Sequence, residues 1–167
     1  MPVMSAGLLL YRIVPDRAGG IDAFEVLIAH MGGPFWARKS EGAWTIPKGE
    51  FDPDAESALE AARREFSEEL GVDPPDGDFA ELGTFAYSSG KRVVVFVGDG
   101  ADFAPEEFVY GVFELEWPPR SGRRAEFPEV DDARWVSADE ALTLLVKGQR
   151  PAVEALARHL GAASEKG

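Results

Sequence analysis

The chain has 167 residues, 45% hydrophobic and 28% charged, the size and composition of one soluble globular domain. It contains no cysteine, which excludes a disulfide framework, a thiolate zinc site and a cysteine nucleophile. Seventeen Lys and Arg against thirty Asp and Glu give a formal charge of −13, a surface that repels nucleic acid and anionic membranes, so neither is expected as a partner.

The first predicted elements are strands. Ser5–Val14 and Ala23–His30 are mostly apolar runs with β-branched and aromatic members, joined by a turn-rich loop containing Pro15, Asp16 and Gly19-Gly20. The second run stops before Gly32-Gly33-Pro34. No apolar run approaches the roughly 18–20 residues of a membrane span. Leu8-Leu9-Leu10 follows no basic segment, so no signal peptide is expected and a cytoplasmic location is the default.

Trp44–Glu50 reads as a tight turn entering a helix, with Asp52 as N-cap and Pro53 at the first helical position. Leu59, Ala62, Phe66 and Leu70 recur at helical spacing, and Gly71 ends the segment with Pro74-Pro75 beyond. Phe79–Ser88, Arg92–Gly98 and Phe108–Leu115 read as strands, and Val93–Val97 has the continuous apolar character of a strand buried on both faces. Trp117–Val130, rich in Pro and Arg, is long for an idle connection. Ser137–Lys147 and Pro151–Leu160 are predicted helices, and the small, polar Gly161–Gly167 a frayed end. The pattern predicts an α/β sandwich around a mixed β-sheet, one domain over residues 1–161 with a flexible tail at 162–167.

Within the Asp52–Gly71 helix, Glu65, Glu68 and Glu69 stand at i, i+3 and i+4 and share a face beside the apolar stripe. Like charges so spaced cost only a few tenths of a kcal/mol per pair. Clustered carboxylate oxygens are the ligands that Mg2+ or Mn2+ prefers. Three glutamates alone more often form a solvated acidic face, so their context decides. Glu56 is placed in the first turn, and Arg64 immediately before Glu65 can fix the carboxylates.

Gly49, Glu56, Arg64-Glu65, Phe66, Glu68-Glu69, Gly71 and Val72 together resemble the Nudix box. All nine fixed positions are present, with one departure: six residues, Glu50–Ala55, separate Gly49 from Glu56 where the family has five. The extra residue falls before the helix, leaving the glutamate spacing intact. The resemblance extends from the Trp-x-x-Pro-Lys-Gly entry at Trp44–Gly49 to the Glu129–Trp135 segment and the helix after it.

This resemblance implies a Nudix-type α/β/α sandwich and a hydrolase cleaving a diphosphate linkage in a nucleotide-like small molecule, with Mg2+ (or Mn2+) as cofactor. It implies Glu65, Glu68, Glu69 and the Gly49 carbonyl as metal ligands, Glu56 and Arg64 as residues that orient them, and a downstream acid as further ligand or base. Glu129 is the candidate for that acid, with Glu126 the runner-up. For substrate binding, Lys48 lies nearest the box, and Arg92 is a further cation with Arg38, Lys39, Lys91, Arg120, Arg123 and Arg124. Trp44 is the aromatic candidate for stacking on a base, beside Phe35 and Trp36. Tyr87 resembles a tyrosine marker of dinucleoside polyphosphate hydrolases. His30 and His159 read as structural or surface residues. The expected substrate is a nucleoside polyphosphate; the alternative is a Nudix-fold nucleotide-binding regulatory module without turnover.

Overall fold

The computed structural model describes residues 3–14 and 23–165. In chain order these form β1 (Met4–Ile13), β2 (Phe24–Met31), β3 (Trp44–Thr45), β4 (Lys48–Glu50) and α1 (Ala58–Leu70). There follow β5 (Ala80–Ala86), β6 (Arg92–Asp99), β7 (Val112–Glu116), β8 (Arg124–Pro128), β9 (Val130–Ser137), α2 (Ala138–Leu144) and α3 (Arg150–Glu165). The expected loop through Pro15 and Gly19-Gly20 lies outside the described residues.

The main sheet is mixed. β1 runs parallel to β6 from Met4 to Tyr11, and its other edge is shared between β4 at Ser5–Gly7 and β2 at Tyr11–Ile13, both antiparallel. β2 also carries β3 and β9, and β5 completes the edge beyond β6. β7 and β8 form a separate hairpin.

Strand alternation sorts the apolar residues into two layers. Leu9, Val26, Ile28, Val93, Val95 and Val97 face a core closed by α2 and α3, through Ala141, Leu145, Val153 and Leu156. Leu8, Leu10, Leu27, Ala29, Val94 and Phe96 face a second core closed by α1, through Ala62, Phe66 and Leu70. β6, buried from Val93 to Gly98, is the doubly covered strand expected from its sequence. The expected α/β/α sandwich is therefore the fold.

Several boundaries differ from expectation. α1 starts at Ala58 rather than at Pro53, because Ser57 caps it: Glu60 N–H donates to Ser57 Oγ (3.2 Å), and Ser57 N–H donates to the Glu60 carboxylate (3.3 Å). This capping box satisfies two orphan amides reciprocally, while Asp52 through its carbonyl closes a turn with Ala55 and Glu56 instead. Glu56 thus precedes the helix. The expected strand over 108–115 begins only at Val112, since Val109 and Gly111 donate their N–H groups to the Leu70 and Glu69 carbonyls at the end of α1. These bonds take up carbonyls that the last helical turn leaves unpaired. Trp117–Val130 contains β8 and the first residue of β9, so it is mostly hairpin. Finally, α3 continues to Glu165, past the frayed end expected from Gly161.

Candidate functional site

α1 presents its acidic face to β4. Gly49 makes the approach possible: a β-carbon there would overlap the Glu65 carboxyl group. The Glu65 carboxylate therefore lies against the bare backbone of Gly49, which only glycine permits. One turn further along the helix, Glu69 accepts a hydrogen bond from Lys48 N–H (3.3 Å) and is 8% exposed. The apolar stripe of Ala62, Phe66 and Leu70 seats the helix so that these two carboxylates meet the Pro47-Lys48-Gly49 turn.

Arg64 gathers the other acids. Its guanidinium donates to Glu56 through Nη2 (2.5 Å) and Nε (3.2 Å), a two-point pairing that fixes the plane of both groups. Its Nη1 reaches Glu65 (2.9 Å) and Glu68 (3.2 Å). The extra residue before Glu56 is absorbed in the turn at Asp52, and the Glu56–Arg64 pair forms regardless.

The electrostatics follow from this packing. Hydrogen bonding to Arg64 holds Glu56 below the usual carboxylate range. Burial pushes Glu69 up to about 8, with the nearby Glu129 and Glu65 charges adding to the rise and Lys48 opposing it. Burial likewise raises Glu65, against the Arg64 hydrogen bond. In both groups burial disfavours the charged form, and the neighbouring carboxylates add to that effect.

Glu129 enters from the other side. It sits between β8 and β9, where Glu129 N–H donates to the Gly111 carbonyl (2.7 Å) and Gly32 N–H donates to the Glu129 carbonyl (3.0 Å). Gly111 also donates to Glu69 O (3.2 Å), so one glycine is bonded both to α1 and to the Glu129 turn. The Glu129 side chain reaches solvent, yet partial desolvation and the Glu68 charge raise its carboxyl. Lys48 is the cation that faces both Glu69 and Glu129.

Glu56, Arg64, Glu65, Glu68, Glu69, Gly49, Lys48 and Glu129 are thus brought together. Among the described residues no three acidic or imidazole groups stand ready-converged as a ligand set, because Glu65 and Glu68 are turned to Arg64. The donors nevertheless suit a hard divalent cation: all are oxygens, and the bare backbone of Gly49 lets the Glu65 carboxylate approach the strand closely.

Other candidates lie elsewhere. Trp44 is a correction: it is buried in the core of the α2–α3 layer, edge-on to His30 at 5.2 Å with Arg134 over its ring, and presents no face for stacking. Tyr87 packs against that same layer, over Gly148, and its hydroxyl accepts from Gln149 Nε2 (2.7 Å). That helix layer lies across the sheet from α1, so Tyr87 does not join the carboxylates. Arg92 is exposed at the start of β6, paired in register with Met4 and Ala86, and is not among the groups around α1. Glu126 pairs with Glu114 inside the hairpin rather than joining Glu129.

Sequence reading passed over Gln149, which is fully buried. It accepts from Ile46 N–H (2.7 Å) and donates to Thr45 (2.9 Å) and Tyr87, tying the chain before Pro47 and the β5–β6 connection to the 3-10 turn that leads into α3. Its partners stand more than sixty residues away in the chain, so no local pattern signals them.

A mixed sheet between helix layers, with a glutamate-bearing helix seated on a Pro-Lys-Gly turn, is the architecture of a Nudix domain. The chain belongs to the NUDIX domain family, whose pattern it matches over residues 17–156. Over 54 residues it is 48% identical to the Uncharacterized 17.7 kDa protein in e-segB intergenic region of Enterobacteria phage T4. That stretch covers 32% of this chain, and the chain spans only 36% of the phage protein.

Solved structures are similar over nearly the whole chain. The Ap4A hydrolase of C. elegans is 20% identical with a TM-score of 0.60, covering 96% of this chain and 98% of its own. The NUDIX domain of Shewanella oneidensis NrtR, complexed with ADP ribose, is 15% identical with a TM-score of 0.61, covering 96% and 89%. The MutT protein of Methanosarcina mazei Go1 is 23% identical with a TM-score of 0.57, covering 95% and 96%. At these identities the likeness is one of fold.

Proposed function

We propose that the chain hydrolyses a diphosphate linkage in a nucleoside polyphosphate, with Mg2+ or Mn2+ held by Glu65, Glu68, Glu69 and the Gly49 carbonyl. The observation that carries this reading is the seat of Glu65 on Gly49 with Glu69 beneath the Lys48 amide, since it gathers oxygen donors from a helix and a strand at one place. A divalent cation there supplies positive charge for phosphate oxygens and lowers the pKa of a bound water.

The chain's own residues do the rest. Arg64, clamped by Glu56, sets the orientation of Glu65 and Glu68. Glu129, whose proton affinity is raised by partial burial and by the Glu68 charge, would take a proton from the attacking water in this reading. Lys48, close enough to act on the Glu69 and Glu129 charges, would provide an ammonium for the phosphate chain. The formal net charge of −13 disfavours long polyanions such as nucleic acid and leaves a few local cations to select a small anion.

The test is a panel of nucleoside triphosphates and dinucleoside polyphosphates with Mg2+ or Mn2+, products separated by chromatography. A triphosphate should give monophosphate and pyrophosphate, or a dinucleoside polyphosphate two nucleotides. Nucleotide binding without turnover of any member would refute the enzymatic reading and leave a regulatory nucleotide-binding module.

A further inference from the structure

His30 is the one buried imidazole among the described residues, 8% exposed near the end of β2. Its Nδ1 lies 2.7 Å from Asp131 Oδ1, and its Nε2 lies 2.7 Å from the carbonyl of Lys39. The carbonyl can only accept, so Nε2 donates, and the ring is fixed in plane by a partner at each end. Trp44 packs edge-on against it and closes its flank. The two partners belong to different segments: Lys39 to the loop from Gly32 to Gly42, and Asp131 to the start of β9.

The place of Asp131 is unusual. In the pairing of β2 with β9, His30 opposes Asp132 and Met31 opposes Val130. Asp131 is therefore the extra residue of a β-bulge, two positions after Glu129. A bulge breaks strand alternation and re-aims the side chains around it. Here it turns the Asp131 carboxylate onto His30. The backbone just before the bulge is the Glu129 turn, held to the same loop by Gly32 N–H on the Glu129 carbonyl. A β-carbon on Gly32 would overlap the Pro128 carbonyl, so loop and turn lie in backbone contact.

We infer that His30 is a positioning residue: by bonding the bulge residue Asp131 and the Lys39 carbonyl together, it fixes the direction in which Glu129 is presented to the α1 carboxylates. This deepens the proposed hydrolytic site and rests on the role given there to Glu129. His30 touches neither the carboxylate array nor any substrate group in this account; it acts through Glu129 alone.

The experiment is a double-mutant cycle on kcat, with His30→Gln and Glu129→Gln made singly and together and assayed on the best substrate of the panel with Mg2+. Glu129→Gln should lower kcat by about 10² or more, as loss of a positioned proton acceptor does. His30→Gln, which keeps only one of the two bonds, should lower kcat about tenfold with KM changed less than twofold, since small misplacements act on the transition state. In the Glu129→Gln background His30→Gln should have almost no further effect. A general structural fault would instead multiply through, and a combined loss equal to the product of the two single losses overturns the inference.

If His30→Gln does not fold, Asp131→Ala removes the Nδ1 partner of His30 from an exposed position and enters the same cycle. If Glu129→Gln itself leaves kcat unchanged, the role of Glu129 falls, and the inference about His30 falls with it. If Glu129→Gln is impaired and the losses multiply, only the inference about His30 falls.

Discussion

Replacing Glu69 by Gln should make the protein inactive and, without metal, more stable. In the unfolded chain this carboxyl ionises near 4.5; buried beneath the Lys48 amide it ionises near 8. Between those values folding takes up a proton, so its effect on stability is neutral below about pH 4.5, grows unfavourable as pH rises, and levels off above about 8. Each tenfold change in proton affinity is worth about 1.4 kcal/mol, which bounds the effect at about 5 kcal/mol.

Relaxation around the ionised group lowers that bound, and a gain of about 1–3 kcal/mol for Glu69→Gln at pH 8 is expected. The amide oxygen can still accept from Lys48 N–H, so packing is retained. The assay is urea unfolding in chelator at pH 5, 6.5 and 8, repeated with millimolar Mg2+. The variant's advantage should grow with pH in chelator and vanish with Mg2+, which stabilises only the wild type. Meanwhile kcat should fall by at least ~10². Equal stabilities at pH 8 in chelator, or an advantage that does not shrink towards pH 5, would refute the reasoning.

Further outcomes follow from the same contacts. Mn2+ affinity, measured by calorimetry, should rise steeply between pH 6 and 8 and then flatten, because binding must displace the proton that Glu69 holds up to about 8. Gly49→Ala, whose added carbon overlaps the Glu65 carboxyl, should lower kcat/KM by about 10² or more; unchanged turnover would show that Glu65 need not rest there. Arg64→Lys keeps the charge but loses the two-point bond to Glu56, and should lower kcat by about tenfold, in the range of lost ligand-orienting contacts. Gln149→Leu leaves the Ile46 amide, Thr45 and Tyr87 without their partner and should cost about 2–4 kcal/mol in denaturant unfolding while KM stays within twofold.

What the sequence made legible was whatever is local. β1, β2 and β6 follow from apolar runs, and the end of α1 follows from Gly71, whose φ of 72° is the left-handed cap expected of it. The start of α1 was also written locally, in Ser57-x-x-Glu60, but Asp52-Pro53 offers a competing start signal a few residues earlier. The strand expected to begin at Phe108 failed for a non-local reason: its first residues are bound to the helix end instead of to a neighbouring strand.

Site residues divide in the same way. That the glutamates of α1 share a face with Arg64 was readable from spacing, because a helix sets their geometry; their role came only with the resemblance to the Nudix box. The burial of Trp44 and the turning of Tyr87 to Gln149 depend on which layer covers them, and neither spacing nor residue type encodes that. The meeting of His30 with Asp131 joins residues 101 apart through a bulge, a register detail that strand periodicity alone conceals.

The peptide of Gly111 acts as a rivet. Its N–H is spent on the helix and its carbonyl on the turn bearing Glu129, so neither can drift without dragging the other. Two parts of the chain sixty residues apart are thereby made into one rigid jaw, and heat or denaturant should loosen them together. Native-state hydrogen exchange would register this as a shared opening rate for the amides of Gly111 and Glu129.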